Sequence, residues 1–399
     1  MKNESIGFGA FFHRLLGDCV GVQHGEDWKR VRSIVDPHYT YKVANNFASE
    51  IISDVYEWID KLPNNASRSH SHEDILVADS MNIVKHLPFG MIAKTIYGQL
   101  TPDDQIRLRD MNEDHEKLVE IAFLGQWAKY SWYRWLPTEA NRMMDKYLGS
   151  WEAFNIEMVK RARKLDQPDA ASTMYSSVES GKMRLVEFLQ TLDEILFTNI
   201  DVTSSVLAWA LINVARNSRV QSKLRVEILD ILGDKSGPEL MSTIEKYINR
   251  QDTLLHYTYL ESARLNPIAW LSLPEVTSED KILGNGYKIP KGTSVVIATN
   301  ILNTKDPVWG NDGDVFRPER FATLSPNQYR YSFWRFGMGT RQCVGKYFAP
   351  LMIKSLITAI LSKYNISVVG HDECSEIPTR PDRFVSTPIA ELKFTPLTL

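Results

Sequence analysis

The sequence is poor in cysteine, in long apolar stretches and in excess basic charge, and each scarcity excludes a class of protein. Only Cys19, Cys343 and Cys374 occur among its 399 residues. Three cysteines are too few, and odd in number, for a disulfide framework, and they fit a reducing compartment. The formal net charge is −3. No broad basic field is therefore present to attract nucleic acid, and we expect no nucleic-acid partner.

The apolar stretches are too short to predict a membrane span. The best candidate, VLAWALINVA at 206–215, falls well below the roughly 18 residues that cross a bilayer. The opening MKNESIGFGAFFHRLL lacks the apolar core and the cleavage site of a signal peptide. We therefore expect this chain to be soluble or peripheral to a membrane.

No internal repeat, low-complexity segment or Gly/Ser linker divides the sequence, and we predict a single domain over residues 1–399. The hydrophobic pattern changes along its length. Apolar residues recur at helical spacing over 26–266, whereas short strands and loops are predicted over 268–335. A glycine-rich loop and a helix follow over 336–363, and further strands over 364–399. The predicted fold class is mainly α with a small β portion, an α+β protein.

The stretch FGMGTRQCVG at 336–345 places unusual residue types around one cysteine. Its glycines allow positive φ angles or a close approach to a flat ligand, and Arg341 offers a fork of donors suited to a carboxylate. Cys343 precedes a predicted helix, whose amino-terminal amides would stabilise a thiolate. Judged from the residue types alone, a buried structural cysteine, a catalytic cysteine–histidine pair and an axial iron ligand all remain open.

The spacing within this stretch is more specific than its composition. The pattern F-x-x-G-x-R-x-C-x-G is met by Phe336, Gly339, Arg341, Cys343 and Gly345. This pattern resembles the haem-thiolate signature of the cytochrome P-450 family. The resemblance implies haem b (iron protoporphyrin IX) as cofactor, with Cys343 as the axial ligand and Arg341 as a partner of a haem propionate.

A second constellation lies upstream of the cysteine loop. Glu261 and Arg264 stand at i and i+3 of a predicted helix, and the run Pro318–Phe321 reads P-E-R-F. An E-x-x-R pair by itself is usually a solvated surface bridge. The resemblance implies a buried cluster of Glu261, Arg264 and Arg320 that braces the loop and serves folding and haem retention.

An amino-terminal helix carries Trp28 and Arg32 at i and i+4 within HGEDWKRVR. By pattern alone this is an amphipathic helix with a basic face. In the family such a W-x-x-x-R helix contacts the haem propionates, so the resemblance implies that Trp28 and Arg32 bind the cofactor. It also implies that Lys29, Arg30 and Lys346 lie near the face where an electron donor docks.

The stretch FTNIDVTSSVLAWAL at 197–211 resembles the central helix that crosses the oxygen site of the family. Asp201 matches the acid of that helix, and Leu207 and Trp209 keep the register. Thr203 matches the second of the two usual threonines. Asp201 and Thr203 are therefore the expected catalytic residues for proton delivery.

Val202 departs from the family at the first of those threonines, and a valine neither donates nor accepts a proton. Three interpretations stay open. Thr203, Asn199 or a hydroxyl of the substrate orders the relay water; or the reaction tolerates slow proton delivery, as in oxidative ring closure or coupling; or Val202 only packs, and Asp201 with water performs the relay.

The segment QWAKYSWYRWLP at 126–137 is dense in aromatic residues. Its pattern favours a helix end packed on the core. The family resemblance offers a second interpretation, in which the segment forms part of a lid over the substrate or a surface that touches a membrane.

The resemblance as a whole implies a monooxygenase of the cytochrome P-450 fold. It would oxidise a small hydrophobic metabolite of fungal secondary metabolism, by hydroxylation, ring closure or coupling, with O2. Electrons would come from NADPH through NADPH-cytochrome P-450 reductase, with cytochrome b5 as a further donor. A full-length form would lie on the cytosolic face of the endoplasmic reticulum membrane.

Two other functions are compatible with the same motifs. Val202 permits an isomerase or dehydratase with a haem-thiolate centre that uses no O2. The short stretch ahead of Trp28 lacks the membrane anchor, the first helices and part of the first sheet of the family, which also suits a truncated, non-catalytic haem-binding relic.

Overall fold

The computed structural model describes residues 9–68, 74–125, 127–370, 375–381 and 385–397. They are mostly helical with small sheets, which confirms the predicted fold class. The α-helices, in chain order, are α1 (Gly9–Leu16), α2 (Gly25–Val35), α3 (Tyr41–Asn46), α4 (Ala48–Asp60), α5 (Leu62–Asn65), α6 (Ser80–Val84), α7 (His86–Tyr97), α8 (Pro102–Leu124), α9 (Glu139–Lys164), α10 (Ala170–Glu179), α11 (Leu185–Asp193), α12 (Asn199–Arg216), α13 (Ser218–Leu232), α14 (Gly237–Asn249), α15 (Leu254–Leu265), α16 (Thr299–Lys305), α17 (Arg320–Thr323), α18 (Pro326–Tyr329) and α19 (Phe348–Lys363).

Shorter turns join some of these helices. A π-helical turn, Glu194–Thr198, separates α11 from α12. The 3₁₀ turns are Asp36–Tyr39, Ser131–Trp135, Pro307–Trp309, Gly339–Arg341 and Val344–Tyr347.

The chain divides into two compact units. The first unit comprises Met1–Val43 and Pro88–Ile200, and the second unit comprises Ala44–Leu87 and Asp201–Leu399. The cysteine loop, α12 from Asp201 onward and α15 to α19 belong to the second unit, whereas α2 belongs to the first.

The strands of the described residues all lie in the second unit and pair antiparallel. They are β1 (Ser67–Arg68), β2 (Leu76–Asp79), β3 (Glu275–Val276), β4 (Lys281–Ile282), β5 (Lys288–Ile289), β6 (Ser294–Val295), β7 (Tyr364–Val368) and β8 (Glu391–Pro396). One sheet has the strand order β1-β2-β8-β7. Two smaller sheets consist of two strands each, β3 with β6 and β4 with β5. The β1-β2 pair was not predicted, because it falls within the stretch assigned to helices, where each strand is too short to show a period of two.

Turn chemistry explains the small strand pairs. Gly286 adopts a φ of +85° in the Asn-Gly turn that joins β4 to β5, and Gly292 adopts +83° after β5. Such left-handed conformations favour glycine over residues that carry a Cβ. The carboxyl-terminal strands are instead stabilised by burial of one face: Leu392 and Phe394 of β8 are buried, whereas Glu391 is exposed.

Helix α19 forms the centre of the second unit. Its side chains from Leu351 to Leu361 are buried, and it packs against α4, α13, α14 and α15. This explains why apolar residues surround most of the helix that follows the cysteine loop instead of forming one stripe.

Aromatic side chains build the core of the first unit. Phe197, in the π-helical turn, lies with its ring centroid 5.0 Å from that of Trp151 and 5.1 Å from that of His115. A buried polar group stands beside these rings: Asp193, the last residue of α11, is 2.8 Å from His115 Nε2 and accepts a hydrogen bond from the Tyr147 hydroxyl.

Two helical stretches of the described residues are long and apolar enough to cross a membrane, Leu185–Arg216 and Val344–Lys363. The sequence showed no uninterrupted run of that length, because polar residues are spread through both. Their most apolar windows are 75% and 67% buried inside the structure, and core helices of globular proteins meet the same criteria. Length and composition therefore do not identify a membrane span here.

Glu187, in the first turn of α11, is a buried carboxylate of the first unit with several charged partners. Its side chain is fully buried and accepts hydrogen bonds from Arg30 and from both the backbone and the side chain of Arg184. Burial acts to raise its pKa, but the bonds from Arg30 and Arg184 outweigh burial and hold the pKa at about 2.

We expect this pairing to make stability depend on pH. Because the folded-state pKa of about 2 lies below the ordinary value of 4.5, ionised Glu187 stabilises the fold above pH 4.5, and the contribution is lost as pH falls toward 2. The difference in the free energy of unfolding between wild type and Glu187→Gln should be constant above pH 5 and should shrink below it. Urea titrations monitored by circular dichroism measure this difference.

The control is Glu26→Gln, which removes a carboxylate from the exposed Glu26–Lys29 pair on α2. An exposed pair adds little to stability, so this variant should differ little from wild type at every pH. A Glu187→Gln difference that stayed constant down to pH 3 would contradict the prediction.

Candidate active site

The cysteine loop is closed by its own backbone. The Cys343 amide donates a hydrogen bond to the Phe336 carbonyl, with an N···O distance of 2.9 Å. Gly337 and Gly339 adopt φ angles of +74° and +71°, which favour glycine because they lie in the left-handed region. Arg341 ends the 3₁₀ turn between them and the cysteine.

The Cys343 thiol is exposed on this loop. A Cβ added at Gly337 or Gly339 would meet no atom within 4 Å, and one added at Gly345 would lie 3.7 Å from Cys343 Sγ. The face around the sulfur is therefore open. Exposure of the thiol does not favour the interpretation of Cys343 as a buried structural cysteine; the buried thiol of the described residues is Cys19.

The three residues of the predicted ionic cluster lie together in the second unit, and all are buried. Arg264 donates two hydrogen bonds to the two oxygens of Glu261, each of 2.8 Å. Arg320 Nε donates to Glu261 Oε1 at 2.9 Å, and the backbone amide of Arg317 reaches the same oxygen at 2.9 Å. One buried carboxylate thus binds two guanidinium groups and a backbone amide.

The two arginines use their remaining donors on backbone carbonyls. Arg264 donates to the carbonyls of Asn303 and Gly313, at 2.7 and 2.5 Å. Arg320 donates to the carbonyl of Trp309 at 2.8 Å, and the guanidinium of Arg264 lies 4.9 Å from the centre of the Trp309 ring. Charged donors thus hold both α16 and the segment around Trp309 and Gly313.

Asn303 connects this cluster to the cysteine loop, and no motif in the sequence singled it out. Its side chain is fully buried. The amide nitrogen donates to the carbonyls of Arg264 and Trp334, at 3.1 and 3.0 Å, and the amide oxygen accepts from the Trp334 amide at 2.7 Å. Trp334 stands two residues before Phe336, so Asn303 holds the backbone segment that leads into the cysteine loop.

Arg335 is a second residue that the sequence did not single out. Its guanidinium lies 5.1 Å from the ring centre of Phe336 and 5.3 Å from those of Tyr259 and Phe333. Contacts of this kind favour a cation over an aromatic face. Burial, together with the charge of Arg335, lowers the pKa of Lys354 on α19 to about 8.

Helix α12 is anchored at its carboxyl-terminal half. Trp209 Nε1 donates to the Ser386 carbonyl at 2.8 Å, and the Asn213 amide donates to Ser262 Oγ at 2.9 Å. Ser262 belongs to α15, so α12 and the helix of the ionic cluster are tied directly. Asp201 and Thr203 are half-buried at the other end of α12.

Val202 is half-buried too, so burial does not choose among the interpretations of this departure. The side chains of Thr198 and Asn199 lie outside the described part of the chain.

Trp28 and Arg32 lie one turn apart on α2, in the first unit. Trp28 is buried, and Arg32 Nε donates to Asp36 Oδ1 at 2.5 Å. The structure thus groups the cysteine loop, the ionic cluster and α12 within the second unit, and the W-x-x-x-R helix within the first. The role of each residue toward a cofactor stays a prediction.

The aromatic segment at 126–137 does not pack as predicted. Trp127, Tyr130, Trp132 and Trp135 are between 47% and 77% exposed. The rings fall in turns outside α8 and α9, where they do not share a helical face, and of the described segment only Tyr133 reaches a core ring, edge-on to Phe11 at 6.1 Å. The interpretation of this segment as a helix end packed on the core is therefore wrong.

Comparison with known proteins identifies the family of this chain. The sequence model of the cytochrome P-450 family matches residues 9–394. The chain belongs to the cytochrome P-450 family. It is 38% identical to cytochrome P-450 monooxygenase lepD of Aspergillus flavus over 92% of this chain and 71% of that protein. It is 32% identical to cytochrome P-450 monooxygenase PUL2 of Kluyveromyces lactis, over 99% of this chain and 77% of that protein.

Solved structures show the cytochrome P-450 fold. A crystal structure of a cytochrome P-450 (CYP102L1) superposes with a TM-score of 0.76 and 19% identity, covering 99% of this chain and 88% of that one. As a cytochrome P-450 with monooxygenase relatives, this protein is an oxidoreductase that incorporates molecular oxygen. The family implies haem with a cysteine thiolate ligand, a hydrophobic substrate and a redox partner.

The ionic cluster gives a direct stability prediction. Glu261→Gln leaves the guanidinium groups of Arg264 and Arg320 buried without their carboxylate, so the free energy of unfolding should fall by about 3–5 kcal/mol. Chemical denaturation followed by tryptophan fluorescence measures the loss. Glu279→Gln, which removes a carboxylate from an exposed pair with Lys281 in the same unit, should change stability little, and an equal loss in both variants would contradict the prediction.

Proposed function

We propose that this cytochrome P-450 is a haem-thiolate monooxygenase in which Cys343 is the axial ligand of haem b. The observation that carries the proposal is the exposed Cys343 thiol on a loop that its own amide closes against the Phe336 carbonyl. That hydrogen bond joins the two ends of the loop and so restricts the backbone that carries the sulfur.

The residues present fit the cofactor. A thiolate is a soft ligand suited to haem iron, and the glycines beside it leave open space where a planar ring needs room. Arg341, two residues before the cysteine, carries a fork of donors that matches a propionate. When bound, haem supplies the activation of O2, for which thiolate ligation is the favourable axial chemistry.

The chain's own residues have separate tasks in this proposal. Arg341, together with Trp28 and Arg32 of α2, binds the propionates. The Glu261 cluster holds the loop through Asn303. Since Val202 offers no exchangeable proton, Asp201 and Thr203 are the pair that we assign to proton delivery.

The substrate that we propose is a small hydrophobic metabolite of secondary metabolism, oxidised by hydroxylation, ring closure or coupling. The fungal sources of its relatives support this assignment. Electrons would come from NADPH through NADPH-cytochrome P-450 reductase, with cytochrome b5 as a further donor.

We place the protein at the cytosolic face of the endoplasmic reticulum membrane. The exposed tryptophan and tyrosine rings at 127–135 support contact with a membrane surface, since amphipathic rings concentrate at the headgroup level.

The first test of this function is spectroscopic. The purified protein, reduced under carbon monoxide, should show the Soret band of thiolate-ligated haem, and Cys343→Ser should abolish that band because a hydroxyl does not replace the thiolate. The control is Cys374→Ser, which replaces a cysteine outside the cysteine loop by serine and should retain the band. A wild type that takes up no haem, or a band that persists in Cys343→Ser, would refute the assignment.

The second test concerns proton delivery. Asp201→Asn and Thr203→Val should each lower product formation per NADPH consumed by about tenfold or more, because proton transfer by a positioned group contributes about 10²–10⁴-fold. Reductase-coupled assays that follow NADPH, hydrogen peroxide and product measure this coupling. Unchanged coupling in both variants would contradict the assignment, and substrate turnover without O2 uptake would contradict the monooxygenase reaction.

A further inference from the structure

Helix α11 presents three buried polar side chains on one face, which we call the α11 polar face: Glu187, Gln190 and Thr191. Their spacing of i, i+3 and i+4 places them side by side. Buried polar groups are costly unless they are satisfied, so their partners indicate what the face does.

The partners lie in the loop 17–24, which joins α1 to α2 without regular structure. The backbone bonds are Asp18 N–H to Gln190 Oε1 (2.6 Å), Val20 N–H to Thr191 Oγ1 (3.2 Å) and Gly21 N–H to Glu194 Oε2 (2.9 Å). The approach at Gly21 is close enough that an added Cβ would lie 1.8 Å from a Glu194 oxygen. Side chains of α11 and of the π-helical turn therefore set the path of the loop.

Glu187 also holds α2 itself. Arg30 of α2 donates to both of its carboxylate oxygens, at 2.9 and 2.7 Å. Gln23, just before α2, donates to the same carboxylate at 3.0 Å. A bidentate contact fixes direction as well as distance. Arg30 stands between Trp28 and Arg32 on α2, so the contact that holds Arg30 restricts the rotation of the helix that carries all three.

Arg30 was expected to lie near a docking face for an electron donor. The structure shows that its guanidinium is used inside the first unit, on a carboxylate that is fully buried. The exposed pair formed by Lys29 and Glu26 on the same helix offers no such constraint.

We propose that Glu187 is a positioning residue for haem binding: through Arg30 it sets α2 so that Arg32 meets a haem propionate. This inference rests on the proposed function, in which Arg32 binds a propionate. It adds a residue that touches no cofactor and that no motif indicated.

The test compares haem with its dimethyl ester, in which both propionates are esterified and uncharged. Holoproteins carrying either porphyrin are mixed with excess apomyoglobin, and the rate of haem loss is recorded. Glu187→Gln should accelerate the loss of haem about tenfold, the scale of one charged hydrogen bond. It should change the loss of the dimethyl ester less than about twofold, because that porphyrin offers no carboxylate to a misdirected Arg32.

Two further variants separate positioning from general destabilisation. Arg30→Gln, which removes the other half of the contact, should show the same selectivity for haem and also serves if Glu187→Gln folds poorly. Arg161→Gln breaks a comparable contact of the first unit, 2.7 Å from Arg161 to the buried Asp104, away from α2, and should not discriminate between the two porphyrins.

Equal acceleration for both porphyrins in Glu187→Gln and Arg30→Gln would overturn the inference, since a structural role predicts that result. No acceleration in either variant would overturn it as well. The carbon monoxide spectrum of the wild type distinguishes the two levels of failure: an intact thiolate band with no selectivity refutes only the role of Glu187, whereas a missing band refutes the proposed function.

Discussion

The carboxylate of Glu261, buried between two arginines, is the interaction on which the cysteine loop depends. It binds Arg264 through both oxygens and accepts from Arg320 at 2.9 Å. A buried charge is tolerable only when it is paired and hydrogen-bonded, and here further charged donors bind the backbone carbonyls of Asn303, Trp309 and Gly313. Asn303 transmits this order to Trp334 and so to the start of the loop that carries Cys343.

The first unit uses the same physical device on a different segment. Glu187 is fully buried and holds Arg30 in a bidentate contact, while neighbouring polar side chains of α11 bind the backbone of the loop 17–24. In each unit, a buried carboxylate on a helix helps to hold a neighbouring segment that has no regular backbone hydrogen bonding of its own. The cysteine loop and α2, which we propose to contact the cofactor, are the segments held in this way.

Patterns that act over a few residues were predicted well. The spacing of the cysteine loop, the E-x-x-R pair and the glycine turns around β4 and β5 depend on local backbone geometry, which is encoded by adjacent residues. Predictions failed where long-range packing decides. Strand β2 pairs with the distant strand β8, and the backbone of Ala128 and Lys129 accepts hydrogen bonds from α1, so partners far away in the chain place both segments. Short segments carry no periodic signal of such partners.

The sequence by itself determined the family, the ligand chemistry available at Cys343 and the mainly helical fold, because these follow from residue type and spacing. Only the tertiary structure decided that Cys343 is exposed, that Asn303 links the ionic cluster to the loop and that Arg30 is committed to Glu187. The physical reason is that burial and hydrogen-bond partners depend on segments brought together across tens to hundreds of residues. The type of a single polar residue does not indicate which distant group will be its hydrogen-bond partner.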